Sequence, residues 1–201
     1  MKTSIKSLIA LAITAVVLTT SSISSFAADE KETNLTEVKK VSTINVSGNV
    51  ALILVQSNEE SVKVYDNYYA KNALVQKKDG ELRISSYSKE TLTVVVYVAN
   101  LSSITASDRA TVKTIGKMNV LSLAVNLYGN ATADINTNAI DLSSNVSDDS
   151  NLTLSGSTET YTSLVGNFAK VNMSQFVAQT TNIQSKVNSA FQVSKLSQII
   201  D

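Results

Sequence analysis

The second half of the chain repeats a short unit of alternating apolar and polar residues about every twenty positions. Ile104 and Ala106, then Ala110 and Val112, flank Ser107-Asp108-Arg109. Val125 and Leu127, then Ala131, Ala133 and Ile135, flank Tyr128-Gly129-Asn130. Leu142, Ser144 and Val146, then Leu152 and Leu154, flank the turn around Asp148-Asp149. Leu164, then Ala169, Val171 and Met173, flank the turn at Gly166, and Ile183, Val187, Ala190 and Val193 form a looser fifth copy. The turns centre on Asp108, Gly129, Asp148, Gly166 and Lys186, at spacings of 21, 19, 18 and 20. Period-2 alternation over four or five residues is the signature of a strand. The unit is too short for a propeller blade and lacks leucine-rich spacing. Three short strands and three turns fill about twenty residues, which is the arithmetic of one coil of a parallel β-helix, a solenoid whose coils bury their inward residues on one another. Ala106, Ala110, Ala131 and Ser150 are small enough for the corners of such a coil. An all-β solenoid is therefore the expected fold, with an antiparallel sandwich or roll as its competitor.

The first half shows the same alternation with more charge. Residues 29–100 carry 19 charged side chains and residues 101–201 only 13. Ile44 and Val46, then Val50, Leu52 and Leu54, alternate on either side of Ser47-Gly48-Asn49, and Val62 and Val64 alternate again. Asp79-Gly80 ahead of Leu82 and Ile84 is a turn followed by a strand. From Thr91 to Ala99, Leu92, Val94, Val96 and Val98 make one apolar face while Val95 and Tyr97 sit on the other, so both faces are expected to be covered. Residues 67–76 form the one predicted helix, a short one near the N-terminal end of the fold.

The N-terminus has a different logic. Lys2 and Lys6 precede an apolar run from Leu8 to Leu18, followed by polar residues and then by Ser25 and Ala27 at the positions a signal peptidase prefers. Eleven residues, apolar except for Thr14, are too few to span about 30 Å of hydrocarbon. The expectation is a signal peptide over 1–27 with cleavage after Ala27, a flexible leader over 28–40 and a β-helix domain over 41–201. No further membrane span is expected, and the location is periplasmic, cell-surface or extracellular. About 90 residues follow the first repeat turn and continue the same pattern, so export is expected through the signal peptide alone and not through a C-terminal barrel.

Composition narrows the chemistry. The chain has no Cys and no His, so thiolate nucleophiles, the usual general base and the preferred transition-metal ligands are missing. Seventeen basic and seventeen acidic residues give no net charge, which argues against a nucleic-acid partner. Asp141, Asp148 and Asp149 are the densest acids of the repeat half and the one weak candidate for Ca²⁺, although the glycine-rich calcium repeat is missing. A solvated turn is the expected role of Asp148-Asp149, with no metal and no cofactor. Asp108-Arg109 with Asp134 could be imagined as an acidic-basic cluster, but local ion pairing on an exposed turn is the simpler expectation. Tyr65, Tyr68, Tyr69 and Tyr87 could stack on sugars or protein, or cover the end of the first coil, which is the expected role.

Residues 41–56 (VSTINVSGNVALILVQ), Val62–Val64, Asp79–Ile84 (DGELRI) and Thr91–Val112 (TLTVVVYVANLSSITASDRATV) resemble the head GIN domain family of putative auto-transporter adhesins, and the resemblance runs over about residues 41–195. It implies a right-handed parallel β-helix and an exported location, and it supplies no catalytic residues. Family members carry serine-glycine turns in each repeat; here Ser155-Gly156-Ser157 keeps that form and the turns at Asp108, Gly129, Asp148 and Gly166 depart from it. The functional expectation is a non-enzymatic exported protein that binds a glycan or surface protein, or that serves the cell envelope structurally. The alternative is a carbohydrate-active β-helix enzyme. Three or more carboxylates converging in a groove would favour the enzyme; flat Ser/Thr/Asn faces would favour binding.

Overall fold

Alternating sequences become strands when one side of the backbone has a core to face, and the computed structural model is built of such strands. It describes residues 32–35, 38, 40–65 and 73–186, all within a unit spanning 32–201. The segment read as a signal peptide, the Ala27 cleavage position and much of the leader lie outside the described residues.

The chain runs through β1 (Glu32–Leu35), β2 (Thr43–Gly48), β3 (Val50–Gln56), β4 (Ser61–Tyr65), β5 (Ala73–Lys78), β6 (Glu81–Ser86) and β7 (Leu92–Val98). It continues through β8 (Ser103–Ala106), β9 (Thr111–Ile115), β10 (Met118–Leu127), β11 (Thr132–Val146), β12 (Asn151–Val165) and β13 (Lys170–Ser185). All thirteen strands join one hydrogen-bonded sheet, and the protein is all-β over the described residues.

The expected helix is corrected. Residues 73–76 belong to β5, which pairs antiparallel with β6 from Ala73↔Ser86 to Lys78↔Glu81, and the rest of that segment lies outside the described residues. The cause is the turn. Asp79 (φ 50°) and Gly80 (φ 81°) form a two-residue hairpin loop with both residues left-handed, whose twist matches flanking strands, so the residues before it must be extended as well.

The central pairings are parallel, which an antiparallel sandwich or roll does not provide. One ladder runs β6–β2–β8–β10–β11–β12–β13 and a second runs β7–β3–β9–β11–β12–β13. A short third ladder joins Met118–Val120 to residues 137–139, 156–158 and 176–178. Thr132, for example, pairs with Thr111, 21 positions back, and with Asn151, 19 positions ahead. The order is not the chain order, because β2 lies between β6 and β8, and β3 lies between β7 and β9. β4 and β1 add antiparallel beyond β7.

The core follows from the alternation. Ile44, Val46, Leu52, Leu54, Val94, Val96, Ile104, Val112, Leu152 and Leu154 are all buried, as are the corner residues Ala106, Ala110, Ala131 and Ser150. Strand β11 changes which parity it buries: Ala133, Ile135 and Thr137 face inward, then Ile140 and Asp141 both face out, then Leu142, Ser144 and Val146 face inward. The strand thereby presents one parity to the second and third ladders and the other to the first. The outer side of β7 is less covered than its sequence suggests, since Val95 and Tyr97 remain half-buried.

Four turns recur at one corner. Ala110 N–H donates to the Ser107 carbonyl, Ala131 to Tyr128, Ser150 to Ser147 and Ala169 to Gly166, at 3.2–3.3 Å. In the first three the second residues, Asp108, Gly129 and Asp148, have φ of 62°, 67° and 58°. The carboxylate of Asp148 accepts from Gly129 N–H at 2.8 Å and that of Asp108 from Gly48 N–H at 3.1 Å, so these turns are tied to the neighbouring strand level by side chains as well as backbone.

Candidate functional site

Once a strand has committed alternate residues to the core, the other half of its side chains is free to meet a partner. On the first ladder these outward residues stand in register. Asn45, Thr105, Asn126, Asn145 and Leu164 form one column, and Thr43, Ser103, Ala124, Ser143 and Thr162 form the next. With neighbouring strands about 4.8 Å apart, the seven strands of this ladder carry the array over about 29 Å.

The array is polar but almost uncharged. Glu81 and Arg83 at its first strand neutralise each other through a 2.8 Å ion pair. The Arg83 hydrogen bond, with that residue's charge and a further bond from Asn45, holds the Glu81 carboxyl below the usual carboxylate range, and Arg83 is raised in turn. Asp141 stands beside the columns on β11. Asn145 is engaged with Tyr128 and Ser147, whereas the side chains of Thr105, Asn126, Ser143 and Thr162 have no protein partner among the described residues. Exposed strand surfaces are commonly guarded with lysine and glutamate; these columns present hydroxyls and amides instead.

The residues singled out from sequence do not gather into one centre. Asp148 is spent on Gly129 N–H, Asp149 is exposed in the same turn, and Asp141 sits on β11 beyond the core residues Leu142, Ser144 and Val146. Among the described residues no group of three or more His, Cys, Asp or Glu could hold a metal ion. Asp108 bonds Gly48, Asp134 lies 4.0 Å from Lys113 in an exposed pair, and Arg109 is exposed. Tyr65 is half-buried on β4, Tyr87 is 75% exposed, and Tyr68 and Tyr69 lie outside the described residues. Among the described residues no helix is long and apolar enough to cross a membrane.

Sequence reasoning passed over Gln56. The third ladder begins at Met118–Val120, which among the described residues has a strand partner on one side only. On the open side the Gln56 amide donates from Nε2 to the Asn119 carbonyl at 2.9 Å, and its Oε1 accepts from Asn119 N–H at 2.8 Å. A side-chain amide thus repeats the bonding of a missing strand, and Nε2 also donates to the Ala99 carbonyl at 3.2 Å. A polar residue ending an apolar strand was its only sequence signal.

Residues 41–199 match the family model described as putative auto-transporter adhesin, head GIN domain. Among solved structures, the chain is similar to a putative adhesin from Parabacteroides distasonis ATCC 8503, with a TM-score of 0.58 and 14% identity over 77% of each chain. It is similar to a putative lipid binding protein from the same strain, with a TM-score of 0.56 and 12% identity over 77% of this chain and 78% of that one. A putative adhesin from Parabacteroides merdae ATCC 43184 gives 0.50 and 12% over 77% and 76%. At these identities the likeness is one of fold. No curated protein matches the sequence.

Proposed function

We propose, from the premise that the chain belongs to the head GIN domain family, that it is an exported, non-enzymatic protein that binds a glycan or protein surface through the outward side of the first ladder. The carrying observation is the in-register array itself, in which Thr105, Asn126, Ser143 and Thr162 keep unspent hydrogen-bonding groups on a side nearly free of charge. Such groups, fixed by the backbone, lose little freedom on binding, so many weak hydrogen bonds can add up to a specific contact. In this reading the parallel ladders are the coils of a β-helix, right-handed as in the family and about twenty residues each; offsets of 19 and 21 residues and the recurrent corner turns support it. The N-terminal apolar run supports export, with residues 1–27 removed. The scattered acids give no support to the enzymatic alternative.

The test replaces Asn126 and Thr162 with lysine. On glycan and matrix-protein arrays the double variant should lose ligands that the parent protein captures, while the two melt alike. An unchanged capture profile in the double variant, or new reducing ends released from a polysaccharide by the parent protein, would refute the proposal. N-terminal sequencing of the exported protein should begin at Ala28.

A further inference from the structure

A second site lies beside the first-ladder columns, where the third ladder meets the Ala99–Ser102 loop. Leu121, 77% exposed, stands between two recesses. One, of about 330 Å³, is bounded by Ser42, Leu101, Ser102 and Ser122; the other, of about 420 Å³, by Asn119, Asn138, Ala139 and Ile140. Asn100, Val120 and Leu121 line both. Each recess therefore combines an apolar surface with asparagine amides or serine hydroxyls, and neither is lined by a charged side chain.

The polar groups are arranged. Ser157 donates to Asn138 Oδ1 at 3.0 Å, and Asn138 Nδ2 points to Asn119 Oδ1 at 3.4 Å. The Gln56 amide holds the Asn119 backbone in place. These bonds fix the amides of one recess, while the Asn100 side chain between the two has no protein partner among the described residues. A preorganised concave site with an apolar floor and a few convergent polar groups is the usual form of a small-ligand site.

We infer that this paired recess binds a neutral, N-acetylated oligosaccharide across the Leu121 ridge. With no charge in the lining, a carboxylate, phosphate or ammonium would lose its hydration without compensation. An acetamido group carries a methyl beside an N–H and a carbonyl, which matches an apolar floor rimmed by amides able both to donate and to accept. Two recesses that share a wall of Asn100, Val120 and Leu121 call for a ligand with more than one such group. A fatty acyl chain is a poorer match, since a chain laid across an exposed leucine would remain largely in water.

The probe is the β-1,4-linked trimer of N-acetylglucosamine, titrated into the purified protein by calorimetry and followed by backbone amide NMR. Saturable binding is expected, with shifts at Asn100, Asn119, Leu121 and Asn138 and affinity at least about tenfold above that for the unacetylated glucose trimer. Leu121→Ser and Asn100→Ala should each weaken binding about fivefold or more with unchanged melting, because both side chains are exposed. The Asn126, Thr162 double-lysine variant should bind the trimer normally, which separates this site from the first-ladder array. No saturation up to about 10 mM, equal affinity for the glucose trimer, preference for myristate, or binding indifferent to both single variants would each overturn the inference.

Discussion

Removing the Gln56 amide should open one end of the third ladder, and the structure allows the cost to be worked out. Gln56→Ala deletes three hydrogen bonds, two with the Asn119 backbone at 2.8 and 2.9 Å and one to the Ala99 carbonyl at 3.2 Å. At a net 0.5–1.5 kcal/mol each, full loss would amount to roughly 1.5–4.5 kcal/mol. Asn119 is exposed, so water replaces part of this, and about 2 kcal/mol remains as the expectation. For a chain of this size that lowers Tm by about 4–8 °C. Gln56→Glu tests the direction of the bonds. The shape is kept, but a carboxylate facing the carbonyls of Asn119 and Ala99 has no hydrogen to donate, so it should be at least as destabilising as alanine at pH 7. Its carboxyl is driven above the unfolded value, so it favours the folded state below the unfolded pKa, and that contribution disappears as pH rises through the folded value. The Glu variant should therefore recover relative to Ala near pH 4. Thermal melts by circular dichroism at both pH values, with hydrogen exchange at Asn119, measure all of this. An alanine variant within about 1 °C of the parent, with Asn119 exchange unchanged, would refute the view of Gln56 as a strand substitute.

Two further outcomes follow from local geometry. Gly156 has φ +99°, and a Cβ there would lie 2.1 Å from the Thr137 carbonyl oxygen, whereas at Gly129 the nearest atom would be Asp108 N at 3.2 Å. Gly156→Ala should cost about 3–5 kcal/mol and Gly129→Ala about 1–2 kcal/mol, and reversal of that order in denaturant melts would show the corner near Gly156 to be misplaced. Glu81 should titrate by carboxyl NMR below its usual 4.5 and move back up in Arg83→Leu, while a carboxyl unmoved by that change would mean that the pair does not persist in solution.

How much of this was written locally in the chain can be read from particular residues. Leu152 and Leu154 alternate in sequence and are buried as alternation requires, and the turns near Asp108, Gly129, Asp148 and Gly166 stand where polar punctuation places them. Strand and turn are short-range properties, set by side-chain parity and by residues that tolerate positive φ. The stacking order is not. β2 and β3 insert between strands that come later in the chain, yet their inward Ile44, Val46, Leu52 and Leu54 resemble those of every neighbouring strand, so nothing local says which strand they adjoin. The helix expected over 67–76 gives way to a strand over its described part, residues 73–76, for a related reason. Spacing in so short a segment is ambiguous, and the hairpin geometry of Asp79-Gly80 decides for β5.

The same division explains why the candidate sites were the least legible part. Inward positions, the Asp108 and Asp148 carboxylates and the Gln56 amide have structural duties that leave marks in the pattern or in the bonds they make. The outward Ser, Thr and Asn of the first ladder repeat a composition found all along the second half, and only the register sets Thr105 beside Asn126 and Asn126 beside Asn145. The Leu121 ridge has a different origin. Leu121 and Ile140 are omitted from the Val120↔Ala139 and Ser122↔Asp141 pairing that surrounds them, because each stands where its strand passes from one ladder to the next. A residue turned outward at such a corner escapes the alternation that would bury it. In Leu121 the chain has placed a large apolar side chain at the position where the core needs none, between amides that the neighbouring strands hold still. A core-directed reading of the sequence counts that leucine as one more buried residue; its place at the corner makes it surface that a ligand can cover.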